Sequence, residues 1–132
     1  MAALSVTAAN VKKGAGAQAK EGVAGATITA GQAVILSAGK YVLADCDATD
    51  LKGCDGIALH AASDGQPLDI QSGGEINLGA TLVAGTTYYL APTAGGIGPV
   101  EDVASGDDPI IIGIAKSATT LMMRITDPNV TI

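Results

Sequence analysis

The side chains able to do chemistry in this chain are few and scattered. His60 is its single histidine, and Cys46 and Cys54 are its two cysteines. A nucleophile–base pair needs a serine or thiol held against the imidazole. Nothing in the spacing selects a serine for His60, and there is no G-x-S-x-G elbow. In the strand pattern around it, His60 shares a face with Ala58 and Ala62, and it is expected to be a structural or surface residue and not a catalytic one. Cys46, Cys54 and His60 together offer three soft ligands at a C-x7-C-x5-H spacing. Structural zinc sites take four ligands, with paired cysteine knuckles. A disulfide across the intervening loop is geometrically possible, but no secretory signal is evident, so two free thiols are expected. Asp45, Asp47, Asp50 and Asp55 enrich that loop in acid without meeting the EF-hand pattern. The glycines at 95, 96 and 98 lack the Lys-Ser/Thr pair of a phosphate loop. The expected catalytic, cofactor-binding and metal sites are therefore none.

The elements that must carry these residues read as short strands. In 107–127, Ile110, Ile112 and Ile114 alternate with Ile111, Gly113 and Ala115. Leu121, Met123 and Ile125 alternate with Thr120, Met122, Arg124 and Thr126. Period-2 patterning of this kind predicts two strands with one buried face, turned at Ser117-Ala118-Thr119. This hairpin holds the chain's densest bulky aliphatic surface and is expected to nucleate the core. Further strands are expected at 33–37, 41–43, 56–62, 67–71 and 85–90. Ser72-Gly73-Gly74-Glu75 carries paired glycines and predicts a hairpin turn, with Ile76 and Leu78 on the returning strand. At most a helical turn is expected at 81–84, 47–52 or 100–104. Many short strands with Gly and Pro turns predict an all-β sandwich or barrel-like body over 26–132.

An internal repeat runs through this pattern. GQAVILSAGKYVLAD at Gly31 resembles GTTYYLAPTAGGIGPVED at Gly85, and GIALHAASDGQPLDI at Gly56 resembles GIAKSATTLMMRI at Gly113. Two similar β units packed on one another are expected. Residues 1–25 are rich in Ala and Gly and predict an extended N-terminal arm, ordered only where a neighbour pairs with it. Leu4 and Val6 alternate with polar residues as in a short strand.

The net charge is −6, which argues against a nucleic-acid partner. Residues 1–25 carry Lys12, Lys13 and Lys20 against Glu21, a net of +2, while the remainder nets −8. A mildly basic arm on an acidic body suits an acidic partner, though the lysines also suit a plain solubilising role. No apolar run approaches the roughly 20 residues needed to cross a membrane, and the chain is expected to be made in a cytosol. Phe and Trp are absent, and only Tyr41, Tyr88 and Tyr89 are aromatic. Large side chains supply most burial energy, at about 25 cal/mol per Å². So thin a core predicts that the chain gains stability by assembly.

The order of these signals over 31–125 resembles that of phage capsid cement, or head decoration, proteins. The Gly-x-x-Val strand at 31–34, Gly56-Ile57-Ala58, PLDIQSGGEINL, the Gly-x-x-Tyr strand at 85–88 and IIGIAKS at 111–117 carry the resemblance. It implies a structural virion protein with an all-β sandwich or barrel-like body. Such a protein sits as a homotrimer on the outer surface of the capsid, is assembled in the host cytoplasm, and bridges major capsid protein subunits. Residues expected at the capsid are Lys12, Lys13, Lys20, Leu4 and Val6. Small residues at Gly113 and Ala115 are expected at the trimer contact. The acidic loop with Cys46 and Cys54 departs from the family's pattern. A second reading is a carbohydrate- or receptor-binding module of a tail fibre, for which Tyr88 and Tyr89 are the available aromatics.

Overall fold

The computed structural model describes residues 6–7, 10–44, 54–79, 81–91, 95–98 and 110–126. Ten strands are described in chain order: β1 (Lys12–Lys13), β2 (Gln18–Val23), β3 (Ala33–Ser37), β4 (Lys40–Leu43), β5 (Gly56–Ala58), β6 (Pro67–Asn77), β7 (Thr87–Leu90), β8 (Ile97–Gly98), β9 (Ile111–Ala115) and β10 (Thr120–Thr126). Among the described residues there is no helical element, and the fold is all-β. The strands form one curled, antiparallel sheet, a half-barrel.

The strand order is β4-β3-β5-β6-β10-β9-β7-β8. It reads the same from both ends once β3, β4, β5 and β6 are matched to β7, β8, β9 and β10. This palindrome is the structural form of the internal repeat. Each half begins at a glycine with positive φ, Gly31 (89°) and Gly85 (84°), which starts the first strand. Each half then carries a Gly-Ile-Ala strand whose glycine lies against the next strand. A Cβ on Gly56 would stand 2.6 Å from the Gln71 carbonyl oxygen, and one on Gly113 would clash with the Met122 carbonyl. The halves join where β6 pairs with β10, through Leu121 opposite Ile76 and Met122 opposite Glu75.

β6 is the shared spine. Its first part pairs with β2 on one edge and β5 on the other, and its second part pairs with β1 and β10. The hairpin expected at 72–75 is therefore not formed, and the chain runs through it as one strand of 11 residues. The glycines serve a bulge instead. The pairing of β2 slips between Gln18 opposite Gly73 and Ala19 opposite Gln71. Gly74, at φ 84°, lies so close to the Gly16 carbonyl that a side chain has no room. The Gln71 amide braces the bulge, donating Nε2–H to the carbonyls of Gly73 (3.0 Å) and Glu75 (2.7 Å). A bulge adds a residue to one strand and so changes which face the side chains take. Ile70 and Ile76, both buried, accordingly enter different cores.

Two layers result. The first holds β2, the first part of β6, β5, β3 and β4. It curls until Ala24 bridges Tyr41, with the Gly25 amide donating to the Tyr41 carbonyl at 2.7 Å. Inside it lie Ala24, Ile28, Val34, Tyr41, Ala58, Leu68 and Ile70. The second layer holds β1, the rest of β6, β10, β9, β7 and β8. Its inward residues, including Tyr88, Ile112, Ala115 and Leu121, pack on the far face of the first layer at Ala33 and Ile57.

The β9–β10 hairpin is formed as expected. Its turn is held by Ser117 Oγ, which accepts from the amides of Thr119 (3.3 Å) and Thr120 (3.1 Å). Its faces differ from the simple alternation. Ile110, Ile112 and Ala115 are buried while Ile114 is exposed. The register of β9 shifts against both neighbours, between Tyr88 and Tyr89 on β7 and between Met123 and Thr126 on β10. This irregularity reverses the alternation after Ile112.

Lys12–Lys13 and Gln18–Val23 are extended, with a turn at 15–16 between them, but their partner is this chain's own β6 rather than a neighbour. Gly22 makes room for the Tyr41 ring, and Ala24 is fully buried, so the segment belongs to the body. The strand expected over 56–62 ends at Ala58. Leu4, Cys46 and the helical turns expected at 47–52 and 100–104 lie outside the described residues.

Candidate interaction surface

The inner face of the second layer packs on the far face of the first. Among the described residues, the outer face of the second layer carries exposed Ile114 and Met122. Across it runs the row Thr87, Ile114, Met122 and Glu75, each directly opposite the next on β7, β9, β10 and β6. Ile114 is 48% exposed and Met122 52%. They line a groove of about 480 Å³ with Ala15, Gly74, Glu75, Met123 and Arg124. Lys116, two residues beyond Ile114, reaches across to Glu75 with Nζ 3.1 Å from Oε2. At the end of the same face, Lys12 stands opposite Asn77 and shares a polar hollow of about 390 Å³ with Asn10, Thr81 and Thr119.

The lysines expected to meet a partner lie on or near one edge. Lys12, Lys13 and Lys20 are all exposed on β1 and β2. The outer edge of β1 and of 18–21 makes no strand pairing among the described residues. Lysines on an open strand edge also discourage indiscriminate pairing with other chains.

Three expected contact residues face inward instead. Gly113 and Ala115 are buried, Ala115 among the core side chains, and so form no trimer surface. The register shift that turned Ile114 outward turned them in. Val6 is partly buried against the core, near Val11 and Gly31, and is likewise engaged by its own chain.

The chemistry-capable residues do not converge. His60 is exposed. Its Nε2 accepts the Asp69 amide proton at 3.1 Å, so the ring proton sits on Nδ1, 3.0 Å from the Ala61 carbonyl. Both ring nitrogens are thus occupied in tying the end of β5 to β6, with the Asp69 carboxylate 3.6 Å away. Cys54 donates its S–H to the Gly56 carbonyl at 3.3 Å. Burial pushes its thiol up to about 12, with Asp55 adding to the shift and backbone hydrogen bonds opposing it. Such a thiol is a poor nucleophile at neutral pH. Asp55 accepts the Leu36 amide proton at 2.6 Å, fastening the end of the acidic loop to β3. Among the described residues no three His, Cys, Asp or Glu side chains gather as a metal site would need. Tyr88 is core, its hydroxyl accepting from the Val83 amide at 3.0 Å.

Simple alternation places Ile114 with Ile110 and Ile112 and so hides the open groove. The available signal was the basic residue two positions along each strand, Lys116 after Ile114 and Arg124 after Met122, which marks an outward row. No family model matches this chain, and no curated protein matches it.

Proposed function

We propose that this protein is a structural virion component that cements the outside of a phage capsid, bridging major capsid subunits as a homotrimer. The observation that supports this reading best is the open outer face of the second layer. A face of this kind, apolar at its centre and charged around it, suits docking against other protein. The edge of β1 and β2 supports it from a second side, because its free backbone groups suit strand addition by a capsid segment. In this form of the proposal the N-terminal residues grip from within the folded body, with Lys12, Lys13 and Lys20 facing acidic capsid surface. Each contact is weak, and many copies across subunit boundaries hold by avidity. The burial of Tyr88 leaves no exposed pair of aromatics for a sugar, so the tail-fibre reading gains no support.

The test is co-sedimentation of the purified protein with expanded heads of the phage that encodes it. Saturable binding is expected, and the triple Lys12→Glu, Lys13→Glu, Lys20→Glu variant should lose at least tenfold in affinity. Absence of binding by the wild-type protein would overturn the reading. Point substitution keeps β1 and β2 paired with β6, which removal of the N-terminal residues would not.

A further inference from the structure

We infer that the open face of the second layer receives a second copy of this chain, head to tail, with Leu36 of one molecule seated between Ile114 and Met122 of the next. The inference deepens the assembly reading above and rests on it.

Three observations carry it. First, the face is locally basic on an acidic chain. Among the described residues, Lys12, Lys116 and Arg124 stand on it against Glu75, a net of +2. Two such faces repel one another, so a symmetric face-to-face pair is disfavoured, and an acidic surface is the complementary one. Second, the chain itself offers such a surface. Leu36 is 52% exposed and lies directly beside the Asp55 carboxylate. The nearby cation, Lys40, is paired with Asp64 at 3.4 Å. Seating Leu36 in the groove brings Asp55 toward Arg124, which has no carboxylate within ion-pair distance among the described residues. Third, the two patches occupy different places in the sheet. Leu36 is on β3 and Ile114 on β9, with β5, β6 and β10 between them. A contact joining two different patches is heterologous, and copies linked this way form a ring where the rotation closes and an open chain where it does not.

The test is sedimentation equilibrium on the purified full chain, with thermal unfolding to show that each exposed-site variant keeps its fold. The wild type is expected to exceed the monomer mass at about 100 μM, where a micromolar contact is filled. Met122→Glu and Leu36→Glu are each expected to weaken association at least tenfold. Val83→Glu, at an exposed site that lines neither the groove nor the Leu36 patch, should leave it unchanged. Mixing Met122→Glu with Leu36→Glu is the decisive arm, because each variant retains the patch that the other lacks. The mixture should form one-to-one dimers when neither variant does alone. A monomeric wild type, variants that associate like the wild type, or a mixture that stays monomeric would overturn the inference. Head binding by a wild type that stays monomeric, or whose association Met122→Glu leaves unchanged, would overturn the inference and leave the capsid reading standing.

Discussion

Gly56-Ile57-Ala58 and Gly113-Ile114-Ala115 are the same three residues at matching places in the two halves of the sheet. In both, the glycine passes against the carbonyl of the next strand and the alanine points into a core. The isoleucines differ. Ile57 is fully buried and Ile114 is 48% exposed. Local sequence does not explain the difference; stacking does. The second half lies on the isoleucine face of the first, and no described part of the chain lies on the isoleucine face of the second. The protein is thus an arrangement in which each half has the same kind of face and only one finds its cover at home.

Substitution at the shared glycines tests the common part of this comparison and should have the largest effect. Gly56→Val and Gly113→Val each force a side chain into a neighbouring backbone carbonyl, which cannot move aside as a flexible side chain does. Each should cost about 3 kcal/mol or more in urea unfolding, or prevent folding. Tolerance of both would dissolve the structural equivalence of the halves.

The isoleucines test the part that differs. Ile57→Ala should cost about 2–5 kcal/mol, from lost burial and the cavity left behind. Ile114→Ala in the dilute monomer should fall within about 0.5 kcal/mol of the wild type. Equal losses would mean that Ile114 is covered within the chain.

Cys54, at the entry to the first half's Gly-Ile-Ala strand, has no cysteine counterpart before Gly113. Its thiol titrates at about 12 in the fold, raised from 9.0. A raised folded value means that the folded state holds the proton more tightly. The corresponding stability is fully present below about pH 9 and is lost as pH rises toward 12. Tyr41, whose hydroxyl is also raised by burial and by Asp55, adds a loss of the same sign at the alkaline end. Cys54→Ala should flatten the fall in unfolding free energy above pH 9. An unchanged slope would show that the thiol ionises freely in the fold.

The smallest effect belongs to the ion pair on the open face. Lys116→Ala removes the 3.1 Å contact with Glu75, and since Lys116 is largely solvated it should change monomer stability by less than about 1 kcal/mol. A larger loss would mean that the pair is shielded from water.

Much of the fold was legible in the sequence. The β9–β10 hairpin shows its alternation and its Ser117 turn, and the Gly-Ile-Ala repeat marks two similar β units, though not their strand order. What stayed hidden depends on residues far apart in the chain. Gly73-Gly74 is an equally good signal for a hairpin turn or a bulge. The choice falls to the bulge because residues 14–17 lie alongside, some 58 positions earlier. The alternation of 110–115 reverses at a register shift imposed by β7 and β10, which moved Ile114 out and moved Gly113 and Ala115 in. The exposure of Lys12, Lys13 and Lys20 was therefore legible in the sequence, and the outward row of Ile114 and Met122 was not.

We propose that this protein works by bridging other protein molecules on a capsid. Cryo-EM of expanded heads saturated with the purified chain tests it most directly. The account predicts added density on the outer shell, straddling boundaries between capsid subunits. Heads indistinguishable from undecorated ones, or density confined to the tail, would contradict it.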